Sequence, residues 1–114
     1  MATDNSIYQL LPDAVLFPRS TPDVALIARL ASEEPYRTLV FTPRGGGTGT
    51  NGQSLNRGIV VDMSRYMNRI LEINPQEGWV RVEAGVIKDQ LNQYLKPYGY
   101  FFAPELSTSN RATL

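Results

Sequence analysis

Arg44-Gly45-Gly46-Gly47-Thr48-Gly49-Thr50-Asn51-Gly52-Gln53 gathers five of the chain's nine glycines into one short segment. Glycine has no Cβ, so such a segment can take positive φ values and turn successive N–H groups toward one point. A nest of amides of this kind binds anions, and phosphate oxygens fit it well. Thr48, Thr50 and Asn51 add side-chain donors, and Arg44 adds a fixed positive charge at the rim. A solvated surface loop is the plain alternative. Against it stands the entropy lost in ordering three adjacent glycines directly after a buried strand.

Other chemistry is scarce. The chain has no cysteine and no histidine. That excludes disulfides, thiolate catalysis and iron–sulfur ligation within these residues. It also removes the usual metal ligand and the usual base at neutral pH. Proton chemistry around any cofactor held here must come from elsewhere, and no metal site is expected.

Three familiar phosphate loops fail on context. Gly47-Thr48-Gly49-Thr50-Asn51-Gly52 matches G-x-G-x-x-G in form, but that fingerprint must open a helix whose N-terminus faces the pyrophosphate. Here Gln53, Ser54, Leu55 and Asn56 lead toward a strand at Ile59 with no helical stripe between. A Walker A loop needs a Lys-Ser or Lys-Thr pair, which is absent. A kinase-type loop needs a nearby strand lysine. The only lysines, Lys88 and Lys96, fall in a helix far along the chain. What remains is strand, glycine loop, strand.

The elements that must position this loop follow from spacing. Residues 1–16 read as an N-terminal arm with little periodicity. Thr21 is placed to cap a helix that Pro22 opens, with Val24, Ile27, Ala28 and Ala31 on one face and Pro35 as its stop. Thr38-Leu39-Val40-Phe41 reads as a buried strand into the loop, and Ile59-Val60-Val61-Asp62-Met63 as the strand out of it. Residues 69–74 and 79–84 predict a hairpin in which Val80, Val82 and Ala84 face inward and Trp79, Arg81 and Glu83 outward. A second helix from Ile87 turns Leu91, Tyr94, Leu95 and Tyr98 inward and ends at Gly99. Tyr100-Phe101-Phe102 reads as a last short strand. The fold class is α+β.

Bulk properties narrow the partners. With 42% hydrophobic and 19% charged residues, the 114-residue chain has the composition of an ordinary globular unit. Eleven basic residues balance eleven acidic ones without any basic run, so general nucleic-acid binding is not expected. No apolar stretch approaches the ~20 residues that span a bilayer, and nothing reads as a signal peptide. A cytoplasmic setting is the expectation.

Several motifs occur together in one order: residues 43–53, Gly58-Ile59-Val60-Val61-Asp62-Met63-Ser64-Arg65, Met67-Asn68-Arg69-Ile70, and Val82-Glu83-Ala84-Gly85-Val86. In that order they resemble the FAD-linked oxidases of the vanillyl-alcohol oxidase (PCMH) type. The likeness runs from about Phe17 to the end. Within the family it is to long bacterial D-2-hydroxyglutarate dehydrogenase-like flavoproteins, which carry a C-terminal iron–sulfur region.

The resemblance implies that residues 17–114 form the first subdomain of a PCMH-type FAD-binding domain: a small mixed sheet, two flanking helices and a β-hairpin. It implies that Arg44 and Gly45, Gly46, Gly47, Thr48, Gly49 and Thr50 wrap the flavin pyrophosphate, mainly through backbone N–H groups, while Asn51, Gly52 and Gln53 complete the turn. Pro104, Glu105, Ser107 and Thr108 would supply a second flavin contact, although a frayed polar terminus is the alternative there. Some family members attach the flavin through a loop histidine. This loop has none, so non-covalent, dissociable FAD is expected. The family motif continues past Leu114, so the chain is expected to be an N-terminal portion. The substrate, a small D-2-hydroxy acid oxidised by hydride transfer to FAD, would meet its catalytic groups outside these residues.

Asp62 is expected to start the turn at Ser64 rather than bind ribose. Arg65 and Arg69 are expected in solvent, Trp79 over the hairpin, and the aromatics between Tyr94 and Phe102 in the core. Two other functions stay open at this level. One is a phosphate- or nucleotide-binding module without redox chemistry. The other is a folded unit that self-associates through an exposed apolar face and binds no cofactor.

Overall fold

A computed structural model describes residues 1–114. Three short strands, β1 (Ala14–Leu16), β2 (Phe41–Arg44) and β3 (Ile59–Asp62), form a parallel sheet in the order β1–β3–β2. The central strand is the apolar run Ile59-Val60-Val61, with Val60, Val61 and Asp62 all buried. An uninterrupted apolar run suits a parallel strand with neighbours on both sides. Pro43 is confined to β2, an edge strand, where its missing N–H is tolerated.

Parallel neighbours need a return path across the sheet. Between β1 and β2 that path includes helix α1 (Thr21–Ser32). Between β2 and β3 it is residues 45–58 alone, without a helix. The glycine segment therefore leaves the carboxyl end of a parallel strand, the edge where open α/β sheets hold ligands.

The second half packs separately. Strands β4 (Ile70–Asn74) and β5 (Trp79–Val82) form the expected antiparallel hairpin, its turn closed by Gly78 at φ +72°. Helix α2 (Lys88–Leu95) lays Leu91 and Leu95 beside Val86, and Ile70, Ile73, Val80 and Val82 pack against that trio. Gly99, left-handed at φ +77°, ends the 3-10 turn (Lys96–Tyr98) that follows α2.

Several expectations shift. Residues 14–16 are not arm but strand β1, paired through Ala14–Ile59, Val15–Val60 and Leu16–Val61. The strand into the loop begins at Phe41; Tyr36–Thr38 is a 3-10 turn, and Leu39 and Val40 are exposed. Pairing with β3 sets where that strand starts, because Phe41 is the residue opposite Ile59. Ser20, not Thr21, is the α1 cap residue. It is extended and makes no side-chain cap bond, while Asp23 accepts the Arg19 N–H at 2.8 Å.

Glu83 is buried, because β5 stops at Val82 and the alternation stops with it. Tyr94 and Tyr98 are exposed. The Leu91–Leu95 pair fills the buried face of α2, and the two tyrosines lie outside it, ring centroids 6.0 Å apart. Tyr100, Phe101 and Phe102 form no strand. The Asn92 side chain holds Phe102 instead, its Oδ1 accepting the Phe102 N–H at 2.7 Å.

The molecule is a slab of 49 × 33 × 18 Å with a radius of gyration of 15.8 Å. A compact chain of this length has about 13 Å. Only 13 of 114 residues are buried, and Leu26, Leu30, Val40 and Phe101 are among the large apolar side chains left in water. The core is thin.

Candidate functional site

The site is built at the end of β2. Arg44 pairs with Asp62, and the Met63 N–H donates to the Arg44 carbonyl at 2.8 Å. Beyond that bond the ladder ends. The amides of Gly45, Gly46, Gly47, Thr48, Gly49 and Thr50 donate to no protein acceptor. Asn51 N–H meets Gln53 Oε1 at 3.1 Å, and Leu55 N–H meets the Gly52 carbonyl at 3.0 Å, closing the far turn. A run of unpaired backbone donors is unusual in a folded chain, where such groups find water, side chains or ligands. Gly47, at φ +65°, provides the reversal that a side-chain-bearing residue resists.

All of the residues with unpaired amides but Thr50 border a hollow of about 190 Å3, which Pro43, Gln53, Ser54 and Thr113 complete. That is room for roughly six water-sized groups. A second polar hollow of about 260 Å3 adjoins it through Gly46 and Thr113, which line both. Ser64, Asn68, Gln90 and Arg111 contribute to its walls.

The tail forms the wall between. It is bonded, not frayed: Lys88 N–H donates to the Ala112 carbonyl at 3.0 Å, Asp89 N–H to the Ser109 carbonyl at 3.1 Å, and Leu114 N–H to the Val86 carbonyl at 3.1 Å. Those tail carbonyls satisfy first-turn donors of α2 that otherwise lack partners. The tail then lies so close to the loop that a Cβ on Gly45 would overlap Thr113 Oγ1, and one on Gly46 would overlap the Arg111 carbonyl oxygen.

The expected residues thus divide. Gly45, Gly46, Gly47, Thr48, Gly49 and Gln53 surround one hollow. Thr50, Asn51 and Gly52 lie on the adjoining turn, with Gly52 against the Tyr8 ring. Pro104, Glu105, Ser107 and Thr108 line neither hollow; the first three are exposed, and the Thr108 carbonyl accepts from Arg111 and Ala112 N–H in the tail turn. Arg44 also stands away from the hollow. Its Nη2 donates to the Thr3 carbonyl at 2.7 Å, and Gly47 leaves room for its guanidinium behind the loop. Thr113, Arg111 and Ser54 were not anticipated. The cluster Ser107-Thr108-Ser109-Asn110 is turn-forming, and that reversal is the one signal that brings 111–113 back toward the loop.

The surrounding charges are structural. Asp62 Oδ1 accepts from Ser64 N–H at 2.8 Å and Ser64 Oγ at 2.7 Å, the turn role expected of it. Arg69 is exposed as expected and is also paired: Glu83 accepts its backbone N–H at 2.9 Å, Nε at 3.1 Å and Nη2 at 2.8 Å. The Arg69 side-chain hydrogen bond is the main cause that holds the Glu83 carboxyl below its usual range, against the opposing effect of burial. Arg65 lies over the Phe17 ring at 4.8 Å. No three acidic side chains gather where a metal could sit, and no helix is long and apolar enough to cross a membrane.

The structure is an α+β unit with unpaired glycine-loop amides at the carboxyl end of a parallel strand. The chain belongs to the family described as "FAD binding domain", whose model matches residues 12–114. It is 86% identical, over all 114 residues, to D-2-hydroxyglutarate dehydrogenase of Escherichia coli (strain K12), and covers 11% of that protein. It is 33% identical over 95 residues, 80% of the chain and 16% of the relative, to the mitochondrial cytochrome-type D-lactate dehydrogenase of Kluyveromyces lactis. Among solved structures, an alkyldihydroxyacetonephosphate synthase superposes with a TM-score of 0.75 at 24% identity, over 93% of this chain and 20% of that one. That likeness shows the fold. The chain spans about a ninth of the length of the D-2-hydroxyglutarate dehydrogenases it matches.

Proposed function

We propose that this chain is the diphosphate-holding part of a non-covalent FAD site in a dehydrogenase that oxidises a D-2-hydroxy acid. The observation that carries the reading is the run of unpaired amides from Gly45 to Thr50, of which Gly45, Gly46, Gly47, Thr48 and Gly49 border a polar hollow where β2 ends. A diphosphate fits that donor set: it brings several anionic acceptor oxygens, and charge-assisted bonds to backbone N–H are among the strong ones. The missing Cβ atoms at 45 and 46 let the tail close against the loop, so the amides share their hollow with Thr113.

FAD, when bound, supplies the hydride acceptor. This chain's residues hold and orient it. The backbone N–H groups fix the diphosphate, and Thr48, Gln53 and Thr113 offer adjustable side-chain donors around it. The hydroxy-acid substrate rests on the relatives, among them D-2-hydroxyglutarate and D-lactate dehydrogenases. A 2-hydroxyglutarate-like substrate is favoured because identity is far higher on that side. The cytoplasmic setting belongs to the same proposal and draws on a cysteine-free chain, which has no use for an oxidising compartment.

The test is a titration of FAD into a protein extended through the complete flavin domain, with Gly46→Val alongside. A yellow complex that the substitution weakens supports the reading. No complex, or equal affinity in the variant, contradicts it.

A further inference from the structure

The first ten residues have no part in the cofactor reading, yet they are folded against the loop. Residues 2–10 close on themselves through a Thr3–Gln9 bridge and a Leu10 N–H to Ala2 carbonyl bond of 3.0 Å. They touch the glycine segment and its far turn at three points. The Thr3 carbonyl accepts from Arg44 Nη2 at 2.7 Å. Asp4 Oδ2 accepts from the buried Ser54 hydroxyl at 3.3 Å. The Tyr8 ring stands 3.0 Å from where a Cβ on Gly52 would be.

Burial does not dock this arm. Ile7 is 94% exposed and Leu11 78%. Its place is set by the polar contacts, and Asp4 is itself fixed by the Ser6 N–H at 2.8 Å. Arg44 is the hinge of the arrangement. Its guanidinium carbon lies 2.8 Å from the position of a Gly47 Cβ, so it backs the turn; its Nη1 is shielded from solvent and unpartnered. It does not line the hollow.

We propose that Arg44 is a positioning residue. Anchored by the Thr3 carbonyl, its guanidinium plane braces Gly47 and holds the turn in the curvature that makes the free amides converge. Residues 2–10 are thereby a working part of the cofactor site. The inference rests on the flavin reading of the same loop and adds the arm to it.

The experiment uses the protein extended through the complete flavin domain, with 15N-labelled glycine. Deleting residues 2–10 weakens FAD binding about tenfold, the loss expected for one hydrogen bond to a charged group. Arg44→Met does the same, and so does Arg44→Lys, which keeps the charge but not the plane. Combined, the deletion and Arg44→Met cost far less than the product of the two, because one strut is removed twice. Without flavin, the amide order parameters of Gly45, Gly46, Gly47 and Gly49 fall from above about 0.8 to below about 0.6 on deletion.

Asp4→Ala and Tyr8→Ala, which keep the backbone of the arm, carry the test should the deletion unfold the protein; each weakens binding about threefold. Unchanged order parameters, fully multiplicative effects, or an Arg44→Lys variant that binds as wild type overturn the proposal. Failure of the wild type to bind FAD refutes the flavin reading alone. The order parameters still judge the arm.

Discussion

Gly46→Ala puts one methyl group where the docked tail presses its backbone closest to the glycine loop. A Cβ there overlaps the Arg111 carbonyl oxygen and stands 2.9 Å from the carbonyl carbon, where ordinary contact begins at 3.4 Å. The neighbour is backbone, so no side chain can swing away. Gly46 does not have positive φ, so alanine suits its dihedrals and the whole cost comes from the docked tail. Retreat of Arg111 breaks the Lys88 N–H to Ala112 carbonyl and Leu114 N–H to Val86 carbonyl bonds. At about 1 kcal/mol each, the loss is about 2 kcal/mol. For a domain of this size that lowers Tm by roughly 10 °C. Gly78→Ala is the control: no atom lies within 4 Å, and only its φ of +72° opposes alanine, at a cost of about 1 kcal/mol. Thermal and urea unfolding followed by circular dichroism measures both. A Gly46→Ala protein no less stable than Gly78→Ala refutes the docked tail.

Glu83→Gln removes the carboxylate that three Arg69 donors hold. Because that carboxyl titrates below its ordinary 4.5 in the folded state, its stabilisation is full above about pH 4.5 and is lost as pH falls through the depressed value. The urea midpoints of wild type and variant therefore differ at pH 7 and converge on acidification; a constant gap contradicts the pairing. Self-association of the isolated 114 residues is expected from Leu26, Leu30, Val40 and Phe101 in water. Light scattering showing a monodisperse monomer at high concentration counts against it.

Local pattern carried much of this fold into view. The apolar run at Ile59, the Leu91–Leu95 spacing, the Gly99 cap and the hairpin around Gly78 each depend on neighbours in sequence, and each lies where its spacing puts it. What spacing could not reveal depends on distant partners. Strand β1 is three residues long and is a strand only because β3, far along the chain, pairs with it. The start of β2 is likewise a matter of register, and Leu39 and Val40, apolar but unpaired, mislead. The glycine loop was legible from composition. Its back and its inner wall were not: Arg44 turns to the arm because a carbonyl from residue 3 waits there, and Thr113 reaches the hollow because the tail caps α2.

The amides of Gly45, Gly46, Gly47 and Gly49 hold the diphosphate if the flavin reading is right. Nitrogen–proton correlation spectra of the flavin-domain protein, titrated with FAD and separately with riboflavin, which lacks the diphosphate, read this directly. Saturable shifts at those four amides with FAD and none with riboflavin are the expected result. FAD binding that leaves the four resonances in place contradicts the account.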